Sequence, residues 1–275
     1  VLQLKCCRSG MWHKAVTTDT MTPTPNHDML IPVWPAPANV RAVCTTRAGG
    51  HSLPPYDSLN LGDHVGDVPQ AVEANRAALA ERMQVRPVFL QQIHGTHVQR
   101  LTADTPDGKV ADASLSQLRG VACTIMVADC LPVLFADAQG RAVAAAHAGW
   151  RGLAAGVLEH AASALGASLS GPTVPTLAWM GPCIGPQAFE VGDEVRAVFV
   201  AHNPQAAALF VPCAEGKWLA DLAGLARQRL AAIGITGVYG NDSTTPWCTV
   251  GNDSKFFSHR RDRVSGRFAA SIWLA

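Results

Sequence analysis

The sequence predicts an α+β fold, a single compact layered domain of mixed β-sheets flanked by helices. Three observations predict it. Short apolar runs of strand length, Val88-Phe-Leu, Thr124-Ile-Met-Val and Ala142-Val-Ala-Ala-Ala, recur between segments of helical period. The chain has 275 residues, 48% of them apolar and 16% charged, which suits a globular chain with a sizeable core. No internal repeat, low-complexity tract or linker interrupts it after residue 35.

Residues 1–35 are expected as a poorly ordered extension and 36–275 as the domain. The first thirty residues stand apart by adjacent cysteines, a Thr-rich patch and Thr22-Pro-Thr-Pro-Asn, and Met21 and Met29 are candidate starts. The N-terminus lacks a basic region followed by a long apolar segment, and no apolar run approaches the roughly 18 residues of a membrane span. The chain is therefore expected in the cytoplasm, with no membrane partner. Its eight cysteines, irregularly spaced and without a Cys-x-x-Cys pair, are expected to be reduced. A net charge of +1 gives no general attraction for nucleic acid, so any anion must be held by locally placed arginines.

In chain order, Val40-Arg-Ala-Val-Cys-Thr-Thr reads as a strand broken by Arg47-Ala-Gly-Gly. Asp67-Val-Pro-Gln70 has the form of a helix start, with Asp67 as cap and Pro69 in the first turn. Val72, Leu79 and Met83 then recur at helical spacing; this helix is expected as scaffold, with Asn75 and Arg76 the residues on it able to face a site. Strands are expected at 87–93, 121–127, 131–136 and 141–146. An alanine-rich helix over 152–167 follows, with its unpaired N–H groups turned toward whatever lies at its start. Thr176-Leu-Ala-Trp-Met is a strand, helices are expected near 192–202 and 219–233 with Gly234 closing the second, and 235–239 is a strand. The last strand, 267–274, alternates poorly and is expected to be buried on both faces.

The candidate chemistry lies between Gln91 and Arg151. His94, Cys130 and His147 each follow an apolar run, and each is costly to bury without a partner. Two imidazoles and a thiolate brought together make a three-ligand zinc site with the fourth position open. Asp129 beside Cys130 reads as an orienter, a proton acceptor or equally a strand cap. His97 belongs at the rim. Arg47 and Arg151, both on glycine-rich turns, have the two-pronged geometry that binds phosphate or carboxylate. No dinucleotide fingerprint, phosphate loop or Gly-x-Ser-x-Gly elbow is present.

Thr45-Thr-Arg47-Ala-Gly-Gly, Asn60-Leu-Gly, Gln92-Ile-His94-Gly, Ala128-Asp-Cys130-Leu-Pro, His147-Ala-Gly-Trp-Arg-Gly, Gly181-Pro-Cys-Ile-Gly and Ser258-His-Arg-Arg-Asp resemble, in order, the motifs of the YfiH-like laccase-domain family. That family is described both as purine nucleoside phosphorylases and as polyphenol oxidases. The resemblance runs from about residue 40 to the C-terminus and implies zinc on His94, Cys130 and His147. It also implies phosphorolysis of adenosine, inosine and methylthioadenosine, and deamination of adenosine. Purine nucleosides and inorganic phosphate are then the partners, with Arg47, Asn60, Asp129, Arg151 and Cys183 expected to bind substrate. Two alternatives stay open: a laccase-type polyphenol oxidase with copper, and a metal-independent hydrolase with Cys130 as nucleophile and His147 as base. A multi-copper site asks for many imidazoles in His-x-His pairs, and this chain has ten histidines but no such pair.

Overall fold

The computed structural model describes residues 29–171 and 175–275. In chain order, β1 (Met29–Leu30) and β2 (Val40–Thr45) lead to helix α1 (Pro69–Met83). Next come β3 (Arg86–Phe89), β4 (Val98–Arg100), β5 (Ala113–Ser116), β6 (Val121–Val127), β7 (Leu131–Asp137) and β8 (Val143–Ala148). Helices α2 (Trp150–Ala155) and α3 (Val157–Ala167) precede β9 (Thr176–Met180), β10 (Glu190–Gly192) and α4 (Asp193–His202). The chain ends with β11 (Phe210–Ala214), β12 (Lys217–Ala220), α5 (Leu222–Ala232), β13 (Val238–Gly240), α6 (His259–Asp262) and β14 (Phe268–Leu274).

The strands form a five-stranded sheet in the order β1-β2-β14-β6-β3 and a six-stranded sheet in the order β13-β9-β7-β8-β5-β4, with a small sheet β10-β12-β11 beside them. The two large sheets are mixed: β14 runs antiparallel to β2 and β6, while β3 is parallel to β6. Alternate residues of each central strand enter different cores. On β7, Val133 and Phe135 pack with Leu158, Ala161 and Leu165 of α3 and Leu225 and Leu230 of α5. Leu134 and Ala136 point the other way, into a core shared with Ile125, Phe268 and Ile272. Ala122, Met126, Ala269 and Trp273, on the far face of the five-stranded sheet, meet Leu79 and Met83 of α1. The result is four layers: helices, sheet, sheet, helix. Strands covered on both faces need no polar alternation, which is why β6, β7, β8 and β14 are apolar throughout and buried along their length.

Several sequence expectations shift. The helix expected over 152–167 starts at Trp150 and is cut in two by Gly156, whose φ of +98° ends α2 and begins α3. Asp67 does not cap α1. Val68 occupies the cap position, and the Asp67 carboxylate instead accepts from the Val68 N–H and from Asn60 Nδ2. The strand expected over 87–93 ends at Phe89, so His94 sits in a turn beyond it at a φ of +60°. The strand expected at 235–239 is β13, shifted toward the C-terminus. Asn75 faces the loop below it rather than the candidate site: its Nδ2 donates to Ser52 Oγ and to the carbonyls of Ser58 and Asn60, and its Oδ1 accepts from His51 N–H. The expected N-terminal extension lies outside the described residues as far as residue 28. From residue 29 the chain is placed, with Met29 and Leu30 opposite Thr45 and Cys44.

Candidate metal centre

Three turns bring the candidate ligands together. The chain leaves the five-stranded sheet at the end of β6 and enters the six-stranded sheet at β7, and Asp129-Cys130 is the crossing point. His147 lies near the end of β8, opposite Pro132 of β7. His94 comes from the turn after β3. One ligand atom from each of His94, Cys130 and His147 lies within 4.8 Å of the other two, and the two rings meet edge to face with centroids 4.8 Å apart. Among the described residues this is the one group of three or more such side chains close enough to share an ion. Gly149, which precedes α2, makes the approach possible. A Cβ there would lie 2.5 Å from His94 Nδ1 and 3.0 Å from Cys130 Sγ.

One buried carboxylate holds two of the ligands. Asp112 Oδ1 accepts from the His94 N–H and lies 2.8 Å from His147 Nδ1, while Oδ2 accepts from the N–H groups of Ile93 and Gly95. Occupation of His147 Nδ1 by Asp112 leaves Nε2 for an ion. Burial pushes the Asp112 carboxyl up, but the His147 ring and the N–H groups of Gly95 and Ile93 outweigh it and hold the group below its usual range. His94 is lowered, first by burial and then by the charges of His147, Arg151 and Arg267, which keeps its imidazole neutral as a ligand must be. His147 is the opposite case. Burial disfavours its charged form, yet the Cys130 sulfur and the Asp112 carboxylate raise it to about 9.

The cluster opens into a small cavity of about 90 Å³. Trp150, Ile184, Phe189 and Leu222 form its apolar walls, and Arg260 borders it. Asp129 also lines it, at a φ of +92° that side chains rarely adopt. Its carboxylate accepts from Thr249 Oγ1 and the Arg260 N–H, and its carbonyl accepts from the Ile184 N–H. Asp129 thus ties three loops to the residue next to Cys130, and both carboxylate oxygens are engaged in that bracing.

The other residues singled out in the sequence are placed as follows. Arg151 is exposed at the start of α2, its guanidinium 4.4 Å from the Trp150 ring centroid. The Arg47 donors are spent on the Asp57 and Asp253 carbonyls and the Asp57 carboxylate, in a separate cleft. Asn60 is fully buried, bonded to Gly62, Asp67 and the Arg267 N–H. Cys183 is buried behind Ile184, accepts from Asn241 Nδ2, and is pushed well above the ordinary thiol range by burial and then by Asp221. His97 is exposed, as expected of a rim residue. Sequence reasoning assigned no role to Asp112 or Gly149. A carboxylate inside the otherwise small and apolar stretch Ala111-Asp-Ala is the one signal that pointed to the first.

Residues 41–275 match the family described as multi-copper polyphenol oxidoreductase laccase. The chain is 54% identical over 246 residues to purine nucleoside phosphorylase PA4543 of Pseudomonas aeruginosa, covering 89% of this chain and 98% of that one. It is 50% identical over 248 residues to purine nucleoside phosphorylase YfiH of Escherichia coli, covering 90% and 98%. Among solved structures it resembles protein NMB0706 of Neisseria meningitidis, with a TM-score of 0.81 and 48% identity over 90% of this chain and 99% of that one.

Proposed function

The chain belongs to the multi-copper polyphenol oxidoreductase laccase family of YfiH-like proteins, and on that premise we propose that it is a purine nucleoside phosphorylase built around His94, Cys130 and His147. The convergence of those three side chains, with His94 and Cys130 lining an apolar-walled cavity and His147 buried beside them, carries the reading. Two imidazoles and one thiolate suit zinc, or copper in its softer state, and three protein ligands are the number that catalytic zinc sites use. When bound, such an ion supplies a Lewis acid at the cavity floor. Adenosine, inosine and methylthioadenosine are the nucleosides proposed, with zinc as the metal.

The chain's own residues do the rest. Trp150 and Phe189 offer aromatic faces against which a purine stacks, and Ile184 and Leu222 keep water from the reacting bond. The cavity has the volume of about three waters, so it receives one edge of the nucleoside while the remainder lies across the mouth beside Arg151. Phosphorolysis joins a phosphate oxygen to the ribose C1′ as the C1′–N9 bond breaks. The electron pair leaves with the base, which is released carrying the proton of hydrogen phosphate. Deamination of adenosine, which exchanges the C6 amino group for a water-derived oxygen and releases ammonia, is the second activity proposed.

One observation favours a second reading. Asp112, His147 and Cys130 follow one another as carboxylate, imidazole and thiol, an order that serves a nucleophilic cysteine without metal. Metal-quantified protein assayed on adenosine and inosine, with and without phosphate, separates the readings. Ribose 1-phosphate formed only with phosphate present, and lost together with the metal in Cys130→Ala, is the expected result. Turnover that survives complete chelation would transfer the mechanism to Cys130 as nucleophile. Oxygen-dependent oxidation of phenols by copper-loaded protein that leaves nucleosides untouched would make it an oxidase.

A further inference from the structure

Arg267, the residue before β14, is a fastened cation with one bare edge. Its backbone is strapped to the loop after β2: the Arg267 N–H donates to Asn60 Oδ1 at 2.8 Å, and its carbonyl accepts from the Leu61 N–H at 2.9 Å. Its stem lies against Gly62, where an added Cβ would come within 2.7 Å of Arg267 Cγ. Nη1 donates to the Ser265 and Gly266 carbonyls. Among the described residues, Nε and Nη2 have no hydrogen-bond partner, and no carboxylate lies within ion-pair distance.

Phe268 pairs with Val127, which sets Arg267 beside the Ala128–Cys130 turn that carries one of the candidate ligands. Burial lowers the pKa of Arg267, opposed by Cys130 and Asp129, and its charge in turn lowers His94 and His64. Of the other arginines nearby, Arg47 is committed to Asp57 and Asp253 and Arg260 to the Ala188 and Glu190 carbonyls, while Arg151 is exposed and lies over the Trp150 ring. Both atoms reach solvent, so the edge presents two adjacent donors in the fork geometry that suits phosphate.

We propose that the Nε and Nη2 edge of Arg267 binds the phosphate co-substrate, which therefore approaches the His94–Cys130–His147 cluster from the Asn60–Gly62 side. Asn60 and Gly62 are positioning residues that seat Arg267. This assignment rests on the phosphorylase reading and moves the phosphate contact from Arg47 and Arg151 to Arg267. Two parallel N–H···O bonds hold the phosphate, leaving another of its oxygens free to bond to C1′ as the base departs.

Calorimetric titration of metal-loaded wild type, Arg267→Gln, Arg267→Lys and Gly62→Ala with inorganic phosphate tests it, together with separate KM values for phosphate and nucleoside. In Arg267→Gln the phosphate Kd and KM are expected to rise at least tenfold, with the nucleoside KM within twofold and metal content unchanged. Arg267→Lys keeps the charge but not the fork, and Gly62→Ala lifts the stem, so both are expected to weaken phosphate as well. Either remains informative if Arg267→Gln fails to fold. Phosphate binding within twofold of wild type in these variants would overturn the assignment, as would a wild type that binds no phosphate. A nucleoside monophosphate that binds tighter than inorganic phosphate and displaces it would reassign the edge to a phosphate ester. Phosphate binding that depends on Arg267 in a protein without phosphorolysis would keep the anion site and sink the phosphorylase reading.

Discussion

At the scale of single residues, the two candidate histidine ligands are held differently, and their variants should part accordingly. His94 is exposed and contributes little packing, so His94→Ala is expected to abolish turnover and metal retention with a Tm close to wild type. His147 is buried against Asp112, and His147→Ala leaves that carboxylate short of a partner at a cost of about 1–3 kcal/mol. Metal quantification beside thermal unfolding checks both. Asp112→Asn keeps the shape but not the charge that accepts from three N–H groups and one ring. Its metal affinity should fall about 10–100-fold, read by competition with a chelating dye. The candidate trio His94, Cys130 and His147 was singled out because each is a polar group that follows an apolar run, and the fold brings the three together. Asp112 was not, since its role is created by partners far along the chain, His94 and His147, that only folding brings to it.

At the scale of elements, local pattern fixed what a helix or strand is better than where it stops. Alanine-rich 152–167 was legible as helix, but its start at Trp150 was not, and the break at Gly156 required seeing that this glycine adopts a left-handed conformation. Asp67 has the spacing of a cap, yet Asn60 competes for its carboxylate and takes it. The hairpin of β11 and β12 went unpredicted although Glu215-Gly216 marks its turn. The segment joining β8 to α2 carries a sharper consequence. Gly149 has an ordinary φ of −68°, so alanine there strains no backbone but drives its methyl into His94 and Cys130. Gly149→Ala is expected to lose metal affinity with little change in Tm. At the other end of the β7–β8 pair, Asp137 is buried against Arg141 Nε, Nη2 and backbone N–H. Burial raises this carboxyl and Arg141 more than compensates, so its folded pKa lies below the unfolded value of about 3.9. The stability it contributes is complete above that unfolded value and disappears as pH falls through the folded one. The Tm of Asp137→Asn is therefore expected below wild type at neutral pH and to converge with it toward pH 2.

At the scale of the whole molecule, four layers leave three separate interiors, and stability should follow the layer a residue occupies. Phe135 is fully buried between the six-stranded sheet and its helices, and Phe135→Ala should cost about 3–5 kcal/mol in chemical denaturation. Ile31, 66% exposed, should change by less than about 0.5 kcal/mol when cut to alanine. The α+β class and the double burial of the last strand were both legible from apolar runs without alternation. The stacking order was not, because it depends on which strands pair across long stretches of chain. One such pairing sets the timing of synthesis. β14, the final strand, is the middle of its sheet, between β2 and β6. Until those residues emerge from the ribosome, β2 and β6 face each other with open edges, and the five-stranded sheet cannot close over its core.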